Sequence, residues 1–176
     1  KFVPGEIDIA DASRPIKKAE VEGVQKRGDD VIELPIAYDG LSVVIHKDNT
    51  WAGTMTVAEL KKLWEPTSTV KKWSEIRAGW PDQPIKLYGP GTASGTFEYF
   101  TEVIVGKSKS SRADFTASED DNVLVKGVAG DKNALGYFGY VYYLHNKEKM
   151  KLVSIDAGKG AVTPSEQTIK DGTYKP

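Results

Sequence analysis

The chain has 176 residues, of which 39% are hydrophobic and 28% charged, and a formal net charge of -1. That length and balance suit one soluble globular domain, or one and a fraction; they exclude disorder and offer no global field to nucleic acid or an anionic membrane. Cysteine is absent, which excludes disulfides, thiolate metal sites and cysteine nucleophiles, and the apolar runs fall far short of the ~20 residues a membrane helix needs.

The chain opens on Lys1-Phe2-Val3-Pro4 without the apolar core of a signal peptide, as a mature or trimmed chain also would. Residues 6–16, "EIDIADASRPI", begin with alternating Ile7 and Ile9 and end in a Ser-Arg-Pro loop, the pattern of a strand leading into a turn. Residues 17–27 read as a short polar helix with Ala19, Val21 and Val24 as its apolar positions and Gly28 as its stop. Two extended pieces follow, 31–36 and 41–46, with Asp39-Gly40 between them. Thr56 and Glu59 have capping-box spacing, and Leu60, Leu63 and Trp64 give the ensuing helix an apolar face.

Residues 85–89, "IKLYG", form a compact strand, and a helix running to about Val105 follows the loop after it. Ser118 is expected to cap the next helix, with Glu119, Asp120 and Asp121 in the first turn, where acids complement the helix dipole. "ALGYFGYVYYLHN" and "KLVSI" add a strand, a helix and a final strand, and Ser165 caps a last short helix that stops at Gly172. Strands alternating with helices predict an α/β protein with a largely parallel sheet covered on both faces.

The stretch "GPGTASGTFEYF", residues 89–100, is where this pattern has chemical content. A strand, a glycine-rich turn and a helix start together make a setting for anion capture, because the first amides of a helix lack intrahelical partners and carry partial positive charge. Gly91 and Gly95 let the backbone curl, Ser94 and Thr96 add hydroxyl donors, and Ala93 keeps the loop slim. The same residues also describe a well-capped helix after a tight turn, with no ligand. The loop lacks the Gly-Lys-Ser/Thr ending of a Walker A motif, the G-x-G-x-x-G of dinucleotide sites and the G-x-S-x-G of a nucleophile elbow. The two histidines, His46 and His145, have no spacing that pairs them with a serine, and the acids at 119–121 suit a helix start better than a metal. Lysines beside Trp64 and Trp73 read as solvated faces of amphipathic helices, with no nucleic-acid partner. No cofactor and no metal is called for.

The quoted loop and its continuation, "GTASGTFEYFTE", resemble the Gly-Thr-Asp-Ser-Gly-Thr-Phe-Asp-Tyr-Phe-Thr-Glu signature of phosphate-binding proteins, the extracytoplasmic receptors of the ABC-type phosphate uptake system. "DIADASRPI", the run "SRADFTASEDDNVLVKGVAGDKNALGYFGYVYY" and "GAVTPSEQTIKDGTYKP" resemble further segments of that family, in the expected order. The resemblance implies a periplasmic-binding-protein-like fold of type II, with ligand clasped between two α/β lobes. It implies that this chain holds one nearly complete three-layer lobe plus part of the other. Residues 1–45 would be part of the first lobe and a hinge strand, 46–172 the second lobe, and 173–176 the start of the return to the first. The family's opening strand and Gly-Ser-Ser/Thr loop have no counterpart here, so the sequence reads as a fragment.

By the same resemblance Ser94, Gly95 and Thr96 match second-lobe phosphate ligands, and Ser13 and Arg14 match the first-lobe position, where a hydroxyl and a guanidinium fork meet the same anion. Arg112 sits at a matching position, with a surface ion pair as its alternative. The implied partners are inorganic phosphate and an ABC-type permease, through which the protein would sit peripheral to a membrane in the periplasm or at the cell surface. Self-association of the truncated chain is a further outcome. Two departures matter: Ala93 stands where many members carry an acid, and Ser13 where some members of the wider family use an aspartate, which loosens discrimination against sulfate. A receptor for sulfate, or a phosphoester-cleaving enzyme using the same loop, are the competing readings; the second lacks an identifiable base or nucleophile.

Overall fold

A computed structural model describes residues 1–12 and 15–174. The chain divides into two compact units, Lys1–Ala37 and Tyr38–Pro176.

Among its described residues the first unit contains one helix, α1 (Lys18–Gln25). The Lys17 amide donates to Glu20 Oε2 at 2.8 Å at its start, Val24 is buried on its apolar face, and Gly28 at φ +89° ends it, as its sequence requires. The strand expected over 6–16 and the extended piece expected over 31–36 do not form strands among the described residues. Their alternation is real, but a strand is made by a hydrogen-bonded neighbour. Here Ile9, Ile32, Leu34 and Ile36 remain 74–86% exposed.

The second unit is built on a five-stranded sheet in the order β4-β3-β5-β1-β6. Its strands are β1 (Leu41–His46), β3 (Lys86–Pro90), β4 (Thr116–Ser118), β5 (Ala134–Gly139) and β6 (Met150–Leu152). A second sheet, in the order β2-β7-β8, is formed by β2 (Thr54–Thr56), β7 (Ser154–Asp156) and β8 (Ala161–Val162). β4, β3 and β5 run parallel, but β1 is antiparallel to both β5 and β6. The sheet is therefore mixed rather than largely parallel. Residues 41–45, grouped by sequence with the first lobe, pair at the centre of this sheet. The expected single strand "KLVSI" is shared between both sheets, with Val153 between them donating its amide to Val43 O at 2.9 Å.

Period-two alternation sorts the core into two layers. Val43 and Ile45 of β1 and Leu135 and Tyr137 of β5 point to one face, against Leu60, Leu63 and Trp64 of α2 (Val57–Trp64) and Phe97 and Phe100 of α3 (Gly95–Phe100). Val44, Ala134 and Phe138 point to the other, against Leu124, Val125 and Val128 of α4 (Asp121–Gly130). Helix, sheet and helix make the three layers. α2 starts with the capping box read from sequence: Thr56 Oγ1 accepts from the Glu59 amide at 3.1 Å, and the Thr56 amide donates to Glu59 Oε2 at 2.8 Å. α5 (Tyr140–Leu144) follows β5, and α6 (Glu166–Lys170) is capped by Ser165, whose Oγ accepts from the Thr168 amide.

Tyr137 is fully buried and stacks on Phe100 with ring centroids 3.7 Å apart. Among the described residues its hydroxyl has no hydrogen-bond partner, and burial pushes its ionisation far above the usual phenol range. A buried donor left unpaired costs about 1–3 kcal/mol, so Tyr137→Phe is expected to hold or raise stability by about 1 kcal/mol. A loss of that size in a denaturant titration would reveal a partner for the hydroxyl and refute the expectation.

Candidate anion-binding site

The loop that joins β3 to α3 is fixed at both ends. Behind it, Gly89 admits the Tyr137 ring, since a Cβ there would come within 2.8 Å of Cε1. Ahead of it, the buried rings of Phe97 and Phe100 anchor α3 in the core, Phe97 stacking on Phe115 at 6.4 Å. Between these anchors the Ser94 amide donates to Gly91 O at 3.0 Å, closing a tight turn over residues 91–94. Thr92 and Ala93 at its tip are exposed, while Ser94, Gly95 and Thr96 are half-buried.

Ser94 is the N-cap. Its Oγ accepts from the Thr96 amide at 3.1 Å and keeps its own proton to donate. The Gly95 and Phe97 amides belong to the first turn and have no intrahelical acceptor by the geometry of a helix start. The Glu98 amide closes the first helical bond, to Ser94 O at 3.1 Å. The Ser94 hydroxyl and the first-turn amides thus lie where the helix dipole is positive, which favours an oxyanion. The helix reaches Val105 as read, but its last stretch, Thr101–Val105, is π-helical. There Thr101 Oγ1 donates to Phe97 O at 2.8 Å and accepts from the Lys109 amide at 2.7 Å.

The structure brings Ser94, Gly95 and Thr96 together on this one helix start. Ser13 and Arg14 lie outside the described residues. Arg112 is only 4% exposed, and it pairs with Asp114 inside the protein instead of at the surface. It donates to Leu63 O at 3.0 Å, Val70 O at 2.9 Å and Ser68 Oγ at 3.3 Å. It also forks onto Asp114 at 2.6 and 2.9 Å. Asp114 is further held by Lys71. Hydrogen bonds from Arg112 first, then from Lys71, hold the Asp114 carboxyl far below the ordinary range.

One neighbour of the loop was missed by reading the sequence. Ser118 is the last residue of β4, and Asp120 caps α4 instead, its Oδ1 accepting from the Asn122 amide at 2.9 Å. Glu119 is thereby left outside the helix, with its carboxylate against Gly91. Twenty-eight positions separate the two, and only the pairing of β3 with β4 joins them. Asp121 is nearby, its carboxyl raised by burial first and then by Asp120, Asp39 and Glu119. Among the described residues no group of three or more His, Asp or Glu is arranged to hold a metal ion, and no helix is long and apolar enough to cross a membrane.

A three-layer lobe with a glycine-rich strand-to-helix loop at the end of its sheet is the architecture of a ligand-binding domain. The chain belongs to the PBP superfamily, whose domain matches residues 1–175. It is 47% identical over 177 residues to a Synechocystis protein named SphX, covering 99% of this chain and 53% of that one. It is 38% identical over 177 residues to the phosphate-binding protein PstS of Staphylococcus haemolyticus, covering 99% and 54%. A crystal structure described as a possible phosphate binding protein from Planctomyces limnophilus superposes with a TM-score of 0.82 at 54% identity, over 99% of this chain and 62% of that one. The chain therefore spans about half the length of the curated relatives it matches.

Proposed function

We propose that this chain carries one half of an inorganic-phosphate site, in a receptor that captures phosphate outside the cytoplasmic membrane and delivers it to an ABC-type permease. The observation that carries the reading is the α3 start, where the Ser94 hydroxyl and the first-turn amides converge. Its support from outside the chain is the 38% identical relative named a phosphate-binding protein. In this reading residues 38–172 form the second lobe, with residues 41–45 at the centre of its sheet, residues 1–37 belong to the first lobe, and Ser13 and Arg14 supply the opposing contacts. Arg112 does its work inside the protein, joining the end of α2 to Asp114. Capture needs no covalent step: neutral hydroxyls and amides bind the anion, and closure of the second lobe on the first excludes water.

Ser94→Ala removes both a donor to the anion and the helix cap. Hydrogen bonds to charged groups contribute about 1.5–3 kcal/mol, so phosphate affinity is expected to fall about ten- to a hundredfold. Stability should fall by about 1 kcal/mol from the lost cap. Amide-resolved NMR titration with phosphate, following Gly95 and Thr96, detects even weak binding. Unperturbed Gly95 and Thr96 amides in the parent chain, or an unchanged affinity in the variant, would sink the assignment.

A further inference from the structure

Two Asp-Gly pairs occur in the chain, Asp39-Gly40 and Asp171-Gly172. Aspartate before glycine has a chemistry of its own, because glycine has no side chain to shield its amide nitrogen from the preceding carboxyl group. The nitrogen attacks Asp Cγ: the N–Cγ bond forms, the Cγ–O bond breaks, and the amide hydrogen leaves with the carboxyl O–H as water. Water then reopens the resulting succinimide. Attack at Cγ restores aspartate. Attack at the main-chain carbonyl breaks its bond to nitrogen and leaves isoaspartate, with the chain running through the side-chain carbonyl and the mass unchanged. Ring closure needs a backbone free to turn, an amide with no other bond and a carboxyl group that can take up a proton.

The two pairs differ on each of these points. Residues 29–39 make no backbone hydrogen bond among the described residues. Asp39 is exposed, and neither its carboxylate nor the Gly40 amide has a hydrogen-bond partner there. Gly40 is anchored through its carbonyl, which accepts from the Tyr140 amide at 2.6 Å. Asp171, in contrast, is the C-cap of α6, its own amide bonded to Gln167 O at 2.9 Å. Its Oδ1 accepts from the Thr173 hydroxyl at 2.6 Å and the Thr173 amide at 2.9 Å, and its Oδ2 from the Gln167 side chain at 3.2 Å. Those bonds, the Thr173 hydroxyl first, hold the carboxyl below its ordinary range. The Gly172 amide is spent on Ile169 O at 3.3 Å. Nor can position 40 gain a shielding side chain. A Cβ there would lie 2.3 Å from Ile169 Cδ1 and 3.0 Å from its Cγ1, so the packing of α6 against the start of β1 keeps a glycine beside Asp39.

We propose that Asp39-Gly40 is a modification site at which the folded chain rearranges spontaneously to isoaspartate, while Asp171-Gly172 is protected by its own hydrogen bonds. The rearrangement adds one methylene to the main chain just ahead of β1, whose first pair is Leu41 with Gly139. The Tyr140 bond to Gly40 O is the contact it disturbs.

The test incubates the folded chain in warm, mildly acidic buffer and follows both pairs by peptide mapping. There an isoaspartyl peptide separates from its aspartyl form at the same mass and resists an aspartate-specific protease. Isoaspartate is expected to accumulate at position 39 about tenfold or more faster than at 171, because ring closure at 171 must first break the hydrogen bonds of its carboxylate and of the Gly172 amide. In denaturant the two pairs should react alike. Asp39→Asn, which closes the same ring with ammonia as the leaving group, should yield aspartate and isoaspartate faster than the parent. Asp39→Glu, whose ring would have six members, should yield no rearranged product over the same time. Equal rates at 39 and 171 in the folded chain overturn the proposal, as does an absence of isoaspartate at 39 under conditions where the denatured chain forms it at both. A rearranged product at 39 in Asp39→Glu overturns the succinimide route.

Discussion

Replacing Arg112 with alanine is expected to destabilise the protein by about 3 kcal/mol, whether or not phosphate is present. The guanidinium is the partner of two backbone carbonyls, Leu63 O and Val70 O, both in buried bonds. Stripping a buried acceptor of its donor costs about 1–3 kcal/mol. Asp114 adds less, because its side chain is 48% exposed and water can replace part of what it loses. The pH dependence has a definite sign. The Asp114 carboxyl is held below its ordinary range in the folded protein, so its contribution is present above that range and lost as pH falls through the folded value. The gap between parent and variant should be flat around neutrality and narrow only in strong acid. Urea midpoints across that pH range measure it, and a difference under about 0.5 kcal/mol at neutral pH would show that Arg112 is free to leave these partners for another role.

Trp64→Ala is expected to cost more still, about 3–5 kcal/mol. Trp64 is fully buried and meets Tyr137, Phe115 and Phe100 edge-on, at centroid separations of 5.0, 5.3 and 5.5 Å. Those rings also hold α3 to the sheet, since Phe100 stacks on Tyr137 and Phe97 on Phe115. The cavity would therefore lie directly under the helix whose start is the proposed anion site. Unfolding should shift to lower denaturant, and the first-turn amides of Gly95 and Thr96 should lose hydrogen-exchange protection together with the core. Loss of stability with those amides unaffected would mean that α3 is anchored by something other than this aromatic cluster.

Where local chemistry decides an element, the sequence had already placed it. The Thr56–Glu59 capping box, the Ser165 cap and the Gly28 stop all appear where their side chains and φ preferences require. The loop at 91–96 was legible for the same reason: two glycines and three hydroxyls before an apolar helix face describe a helix start whether or not its surroundings are known. The layering was legible too, because alternation in "LSVVIH" and "ALGYFG" fixes which residues face each layer.

What alternation cannot give is the neighbour. Residues 6–16 and 31–36 carry strand patterns and form no strand among the described residues, while "KLVSI" is one run divided between two sheets. The direction of β1 is invisible in its own residues, since parallel and antiparallel ladders accept the same apolar side chains; pairing with β5 and β6 settled it. The same limit applies at the site. The sequence by itself determined that Ser94, Gly95 and Thr96 begin a helix after a glycine-rich turn, because capping and backbone freedom act over a few residues. Only the tertiary structure decided that Glu119 lies against Gly91 and that Arg112 is spent on buried carbonyls, because each contact is made across strands or helices by residues 28 to 49 positions apart, and such contacts are chosen by packing and not by spacing.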